Sequence, residues 1–178
     1  MVHERHKRPR PPLDQEALER LGLFYAGRYA TTRSKLGAYL ARKVRERGWD
    51  AAAPPDIERV TARFVELGYV DDRLYAEGRA ASLGRRGYGA RRVQQALQAA
   101  GIAAEDAEPA LEQGKADAWT SALRFAERKR LGPYATSEPD REARQKAFAA
   151  FMRAGHPARI ASKILAAPPG LVPEPDEL

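Results

Sequence analysis

The sequence predicts an all-α protein, an elongated array of three tandem three-helix repeats. A repeated helical unit carries that prediction. Leu40 and Val44 lead to Gly48–Trp49, Val93 and Leu97 to Gly101–Ile102, and Ala147 and Phe151 to Gly155–His156. The glycines fall 53 and 54 positions apart. Apolar residues at i and i+4 share one helix face, and a glycine just past the last turn accepts the left-handed conformation that stops a helix. The second observation is that no strand-like alternation of any length occurs along the chain. Tandem units of about fifty residues are near the lower limit for independent stability, so each leans on its neighbour, and such arrays work as binding surfaces.

The elements follow in order. Residues 1–12 mix His3, Arg5, His6, Lys7, Arg8 and Arg10 with prolines and read as a disordered basic arm. The first unit spans 13–69. Asp14 caps a helix running to about Tyr29, and Thr31 or Thr32 caps a second that runs to about Arg47, with Leu36 extending its apolar row backwards by one turn. After Pro54–Pro55, Asp56 caps a third helix that shows Ile57, Val60, Phe64 and Leu67 on one face and stops at Gly68. The second unit spans 70–114. It opens at Asp71–Asp72, whose carboxylates suit a helix N-terminus. Its helices run to about Leu83, from Ala90 to Ala100, and from Ala103 to Gln113, with Gly84, Gly87 and Gly89 breaking the chain between the first two. The third unit spans 115–167. A long helix covers Lys115 to Leu131 and ends at Gly132–Pro133, another starts at Ser137 to Pro139, and the last begins at Pro157. Residues 168–178 hold four prolines with Glu174, Asp176 and Glu177, and read as a disordered tail.

Composition bounds the chemistry. The 178 residues contain no cysteine, which removes disulfides and thiol catalysis and agrees with a reducing compartment. No signal-peptide core or long apolar run is present, so a cytoplasmic protein with no membrane contact is expected. None of His3, His6 and His156 has metal-site or proton-transfer spacing, and no phosphate-binding glycine loop occurs. Asp71–Asp72 reads as a helix cap rather than a metal site. No enzyme, metal or cofactor is expected.

The net charge is +7, which favours an acidic partner, nucleic acid or nucleoprotein. Its cations are clustered. Arg79, Arg85, Arg86, Arg91 and Arg92 occur with no acidic residue between them. Between Arg28 and Arg47 there are seven Lys or Arg, Arg42 and Lys43 among them, against Glu46 alone. Arginine's planar fork suits phosphates and carboxylates alike, so these groups fit a DNA backbone or an acidic protein surface. The other reading is a solvated helix face that keeps an alanine-rich protein soluble. Tyr88, in the glycine-broken turn, is expected to be exposed and available for stacking. Tyr69, Tyr75, Trp49 and Trp119 are expected to pack in the core, with Tyr69 and Val70 enclosed between the first two units.

Two segments carry a resemblance. Gly68-Tyr69-Val70-Asp71-Asp72-Arg73-Leu74-Tyr75-Ala76, followed by Arg85-Arg86-Gly87-Tyr88-Gly89-Ala90-Arg91-Arg92-Val93, closely resembles the RecX family, regulatory proteins that modulate the RecA recombinase. The likeness extends from about Leu13 to Leu165. It implies a curved array of three three-helix units without enzymatic activity or cofactor. It further implies binding along the groove of the RecA–DNA filament, as a monomer, damping strand exchange and co-protease activity in DNA repair and the SOS response. The family's basic second unit maps here onto Arg79, Arg85, Arg86, Arg91 and Arg92. The extra turn at Leu36 and the stretch from Gly132 to Pro139 depart from the family. An array that touches several filament subunits at once multiplies modest affinities. A stand-alone DNA-binding protein is the alternative, for which Arg91, Arg92, Gln94 and Gln95 form a poor recognition helix.

Overall fold

The structure is a computed structural model and describes residues 11–175. Arg5, Lys7 and the other basic residues of the arm up to Arg10 lie outside the described residues, as do Asp176 and Glu177. Nine α-helices and one 3-10 turn make up the regular structure among the described residues. The chain falls into two compact units, one up to Asp71 and one from Asp72.

The first unit contains α1 (Gln15–Arg28), α2 (Arg33–Arg47) and α3 (Ile57–Glu66). Each starts at a side chain that accepts a hydrogen bond from an otherwise unpaired amide. Asp14 Oδ1 accepts from the Ala17 N–H at 2.7 Å, Thr32 Oγ1 from Lys35 at 3.1 Å and Asp56 Oδ1 from Arg59 at 2.9 Å. Leu13, Leu18, Leu36, Leu40, Val60, Phe64 and Val70 form the core. Leu36 is fully buried, so the additional turn of α2 extends the packed face. Trp49 and Val44 pack against this core while staying half-buried. The end of the basic arm is pinned, because Arg47 donates from Nε and Nη2 to the Pro11 carbonyl at 2.9 and 2.8 Å.

Tyr69 corrects an expectation. It is 52% exposed, whereas Val70 is buried within the first unit's own core. The cause is the turn after α3: Gly68 has φ +72°, and both Tyr69 and Val70 donate to the Phe64 carbonyl. That geometry swings one of two consecutive side chains inward and the other outward. Tyr69 keeps an edge-on contact with Phe64 at 5.6 Å between centroids.

The second unit contains α4 (Asp72–Arg85), α5 (Ala90–Ala99), α6 (Ala104–Ala116), α7 (Ala118–Lys129), the 3-10 turn Gly132–Tyr134, α8 (Arg141–Ala154) and α9 (Ala158–Ala166). It holds two hydrophobic clusters. Ala76, Leu83, Val93, Leu97, Ala100 and Ile102 belong to the first, between α4, α5 and α6. Ala122, Phe125, Phe151, Ala161 and Ile164 belong to the second, between α7, α8 and α9. Tyr75 packs against the first and Trp119 against the second, each half-buried.

Three boundaries differ from the sequence reading. The helix expected from Lys115 to Leu131 is divided at Asp117 (φ −86°, ψ +8°), whose carboxylate is held by Gln113 Nε2 at 3.0 Å, and Lys115 lies in the last turn of α6, which ends at Ala116. The next helix begins after Asp140, whose Oδ1 accepts from Ala143 at 2.7 Å, rather than at Ser137–Pro139. Start of the tail is also ordered: Gly170 donates to the Pro133 carbonyl at 2.8 Å.

Candidate functional site

The basic run centres on the turn from Arg85 to Gly89. Two backbone bonds close α4, from Gly87 N–H to the Gly84 carbonyl at 2.9 Å and from Tyr88 N–H to the Leu83 carbonyl at 3.0 Å. With Gly87 at φ +71°, this is a Schellman stop. The turn is then seated on the following helices. Gly89 N–H donates to the Ala154 carbonyl at 2.9 Å, and Arg91 N–H to Gly155 at 3.3 Å. A Cβ on Gly89 would sit 2.3 Å from the Gly155 oxygen, and one on Gly87 would sit 2.7 Å from the Phe125 nitrogen. Backbone meets backbone here, and only glycine leaves room.

His156 closes the joint. It is buried, with its ring 5.4 Å from both Phe125 and Phe151. Its Nε2 lies 3.0 Å from the Gly87 carbonyl, and since a carbonyl can only accept, Nε2 carries the proton and donates. Nδ1 has no partner. Burial pushes the imidazole below its ordinary pKa, opposed by the bond to Gly87.

The cations stand on this frame. Arg79, Arg85, Arg86, Arg91 and Arg92 are all exposed, and among the described residues none has a carboxylate within ion-pair distance. Arg79 lies six residues before Arg85, which places it about 120° round α4 from it. Tyr88 was expected to be exposed for stacking. Instead it is half-buried and packs against both clusters, with the Arg86 guanidinium 5.4 Å and that of Arg128 5.6 Å from its ring centre. Arg128 also donates to the Arg86 carbonyl. Tyr88 is thus a platform for two guanidiniums through cation–π attraction. Arg124 and Arg128 of α7 were not singled out from the sequence. Their signal is the run Arg124, Arg128, Lys129 and Arg130 against Glu127, on a helix distant in sequence from Arg85.

Arg42 and Lys43 are placed differently. Both bond to Glu46 of their own helix, at 3.5 and 2.6 Å, and both lie 5.7 Å from the Tyr39 ring centre. The Lys43 hydrogen bond holds the Glu46 carboxyl below its ordinary pKa. These cations are already partnered. The exposed arginines of the second unit are equipped to hold anions. Among the described residues there is no group of acidic and histidine side chains able to hold a metal, and no helix long and apolar enough to cross a membrane.

Residues 71–111 match the family profile described as "RecX, second three-helix domain". The regulatory protein RecX of Myxococcus xanthus is 35% identical over 170 residues, 89% of each chain. That of Agrobacterium fabrum is 32% identical over 139 residues, 76% of this chain and 74% of its own. Among solved structures, RecX from Lactobacillus salivarius is 20% identical with a TM-score of 0.59, covering 84% of this chain and 92% of that one, a likeness of fold. With all-helical architecture, a family profile across α4 to α6 and relatives at least 32% identical that match three quarters or more of this chain, the chain belongs to the RecX family of regulatory proteins.

Proposed function

We propose that this chain is a non-enzymatic regulator that binds the RecA–DNA filament and damps the recombinase and co-protease activities in DNA repair and the SOS response. Relatives named regulatory protein RecX support the regulatory role. The observation that carries the binding reading is the set of exposed arginines on α4, α5 and their connecting turn, with no carboxylate partner among the described residues and within the stretch matched by the family profile. Exposed guanidiniums without a carboxylate keep their charge available for a partner, and the rigid backbone beneath them adds no ordering cost of its own on binding. Three three-helix units at 13–69, 70–114 and 115–167, acting as a cytoplasmic monomer, complete the reading. Its partner is the nucleoprotein rather than bare DNA. The test compares binding to recombinase-coated and bare single-stranded DNA at matched salt, with strand exchange followed in parallel. Preferential binding to the coated strand with slowed exchange is expected. Equal or tighter binding to bare DNA would favour a stand-alone DNA-binding protein.

A further inference from the structure

A cavity of about 500 Å³ opens between α4, α5, α6 and α7, beside the arginine turn. Ala80 and Gly84 of α4, Val93 of α5, and Ala110 and Gly114 of α6 give it a small apolar wall, and Gln113, Asp117 and Ser121 line it as well. Arg85 and Arg124 stand at its edge with Tyr88. The acidic residues there are engaged, since Glu77 pairs with Arg73 at 3.5 Å and Asp117 accepts from Gln113 at 3.0 Å. The two arginines have no carboxylate partner among the described residues. With Glu77 paired to Arg73, two guanidiniums face the single remaining carboxylate of Asp117, which leaves the mouth net positive.

Gly84 is unexplained by its surroundings. It lies within α4 without positive φ, and a Cβ placed on it meets nothing within 4 Å. Packing does not require glycine there, and glycine in a helix is less stable than alanine. Gly84 lines the cavity, so a large side chain at this position would fill it.

We propose that this cavity is an anchor pocket for a bulky apolar side chain of an acidic peptide segment on the protein partner. The volume is in the range of small-ligand sites and suits one large side chain with its backbone. Those alanine, glycine and valine walls reward apolar burial, and polar side chains among them are already engaged: Ser121 Oγ donates to the Ala118 carbonyl and Gln113 Nε2 to Asp117. Arg85 and Arg124 meet the flanking carboxylates. An aromatic or aliphatic anchor ringed by charge pairs is how small interfaces concentrate their affinity. The partner's identity as the recombinase rests on the reading above; the chemistry of the pocket does not.

Two probes separate these. The first is an acetylated, amidated peptide with one phenylalanine between acidic residues, set against the same peptide with alanine in its place. Amide resonances of the isotopically labelled full chain are followed during titration. The phenylalanine peptide is expected to shift Val93 and Gly114, and Gly84→Phe is expected to abolish those shifts while Gly84→Ala keeps them. Absence of shifts, equal shifts from the alanine peptide, or equal shifts from a short oligonucleotide would overturn the pocket. The second probe is the recombinase filament on single-stranded DNA, to which Gly84→Phe, with unchanged circular dichroism, is expected to bind at least ten-fold more weakly. Wild-type affinity in that variant would overturn the docking. A wild-type chain that takes the peptide but ignores the filament supports the pocket and sinks the filament reading.

Discussion

The His156 imidazole donates from Nε2 to the Gly87 carbonyl at 3.0 Å, across 69 residues of sequence. That bond ties the corner between α8 and α9 to the turn that carries Arg85, Arg86 and Tyr88. Removing it leaves a buried carbonyl without a donor and a void between Phe125 and Phe151. His156→Ala is expected to cost on the order of 3 kcal/mol, read as a lowered melting temperature.

The same histidine makes stability depend on pH. Burial lowers its folded-state pKa, so the unfolded chain takes up a proton that the native state refuses. Its contribution is complete above the unfolded histidine value of about 6.5 and is lost as pH falls below that, toward the folded pKa. Urea midpoints measured from pH 7.5 down to 5.5 are expected to fall in the wild type. In His156→Gln the slope over this window is expected to flatten; an unchanged slope would assign it to other groups.

Glycines that look alike in sequence separate by environment. Gly89→Ala forces a Cβ to 2.3 Å from the Gly155 oxygen and is expected to destabilise by about 1–3 kcal/mol. Gly84→Ala meets nothing and is expected to stabilise by roughly 0.5–1 kcal/mol. Thermal melts of the two variants check the sign in each case.

At the end of α3, burial ranks two neighbours. Val70 is 2% exposed and Tyr69 52%. Val70→Ala is expected to cost about 2 kcal/mol and Tyr69→Ala about 1 kcal/mol, because half the ring is already in water. Chemical denaturation of both variants gives the order directly, and a costlier Tyr69→Ala would contradict the assignment.

Local features were legible in the sequence. Asp14, Thr32 and Asp56 cap as residue type and position predict. Gly101 and Gly155 end their helices through the same pair of bonds, one of them from the following residue to Leu97 or Phe151. Gly48 shares their positive φ but not that pair: its N–H donates to the Val44 carbonyl, and its own carbonyl accepts from Leu13, a partner 35 residues away. Distance in sequence also hid the site's frame. Nothing near Gly87 or Gly89 announces that Phe125 and Gly155 press against them. Arg128 was missed because it reaches Tyr88 from a different helix, and Tyr88 was misread as exposed because its burial comes from two clusters at once. Arg42 and Lys43 read in the sequence as cations of a long helix for which solubility is the better explanation, and Glu46, three or four residues on, holds both.

The central claim is that exposed arginines around the Arg85–Gly89 turn hold the recombinase filament. Its most direct test replaces Arg85, Arg86, Arg91 and Arg92 together with Glu and measures filament affinity across a salt series. The variant is expected to keep the wild-type circular dichroism spectrum, since none of these side chains is buried. It is expected to lose filament binding at every salt concentration, whereas wild-type binding weakens steadily as salt rises. A folded quadruple variant that binds the filament as tightly as wild type, with the same salt slope, would contradict the account.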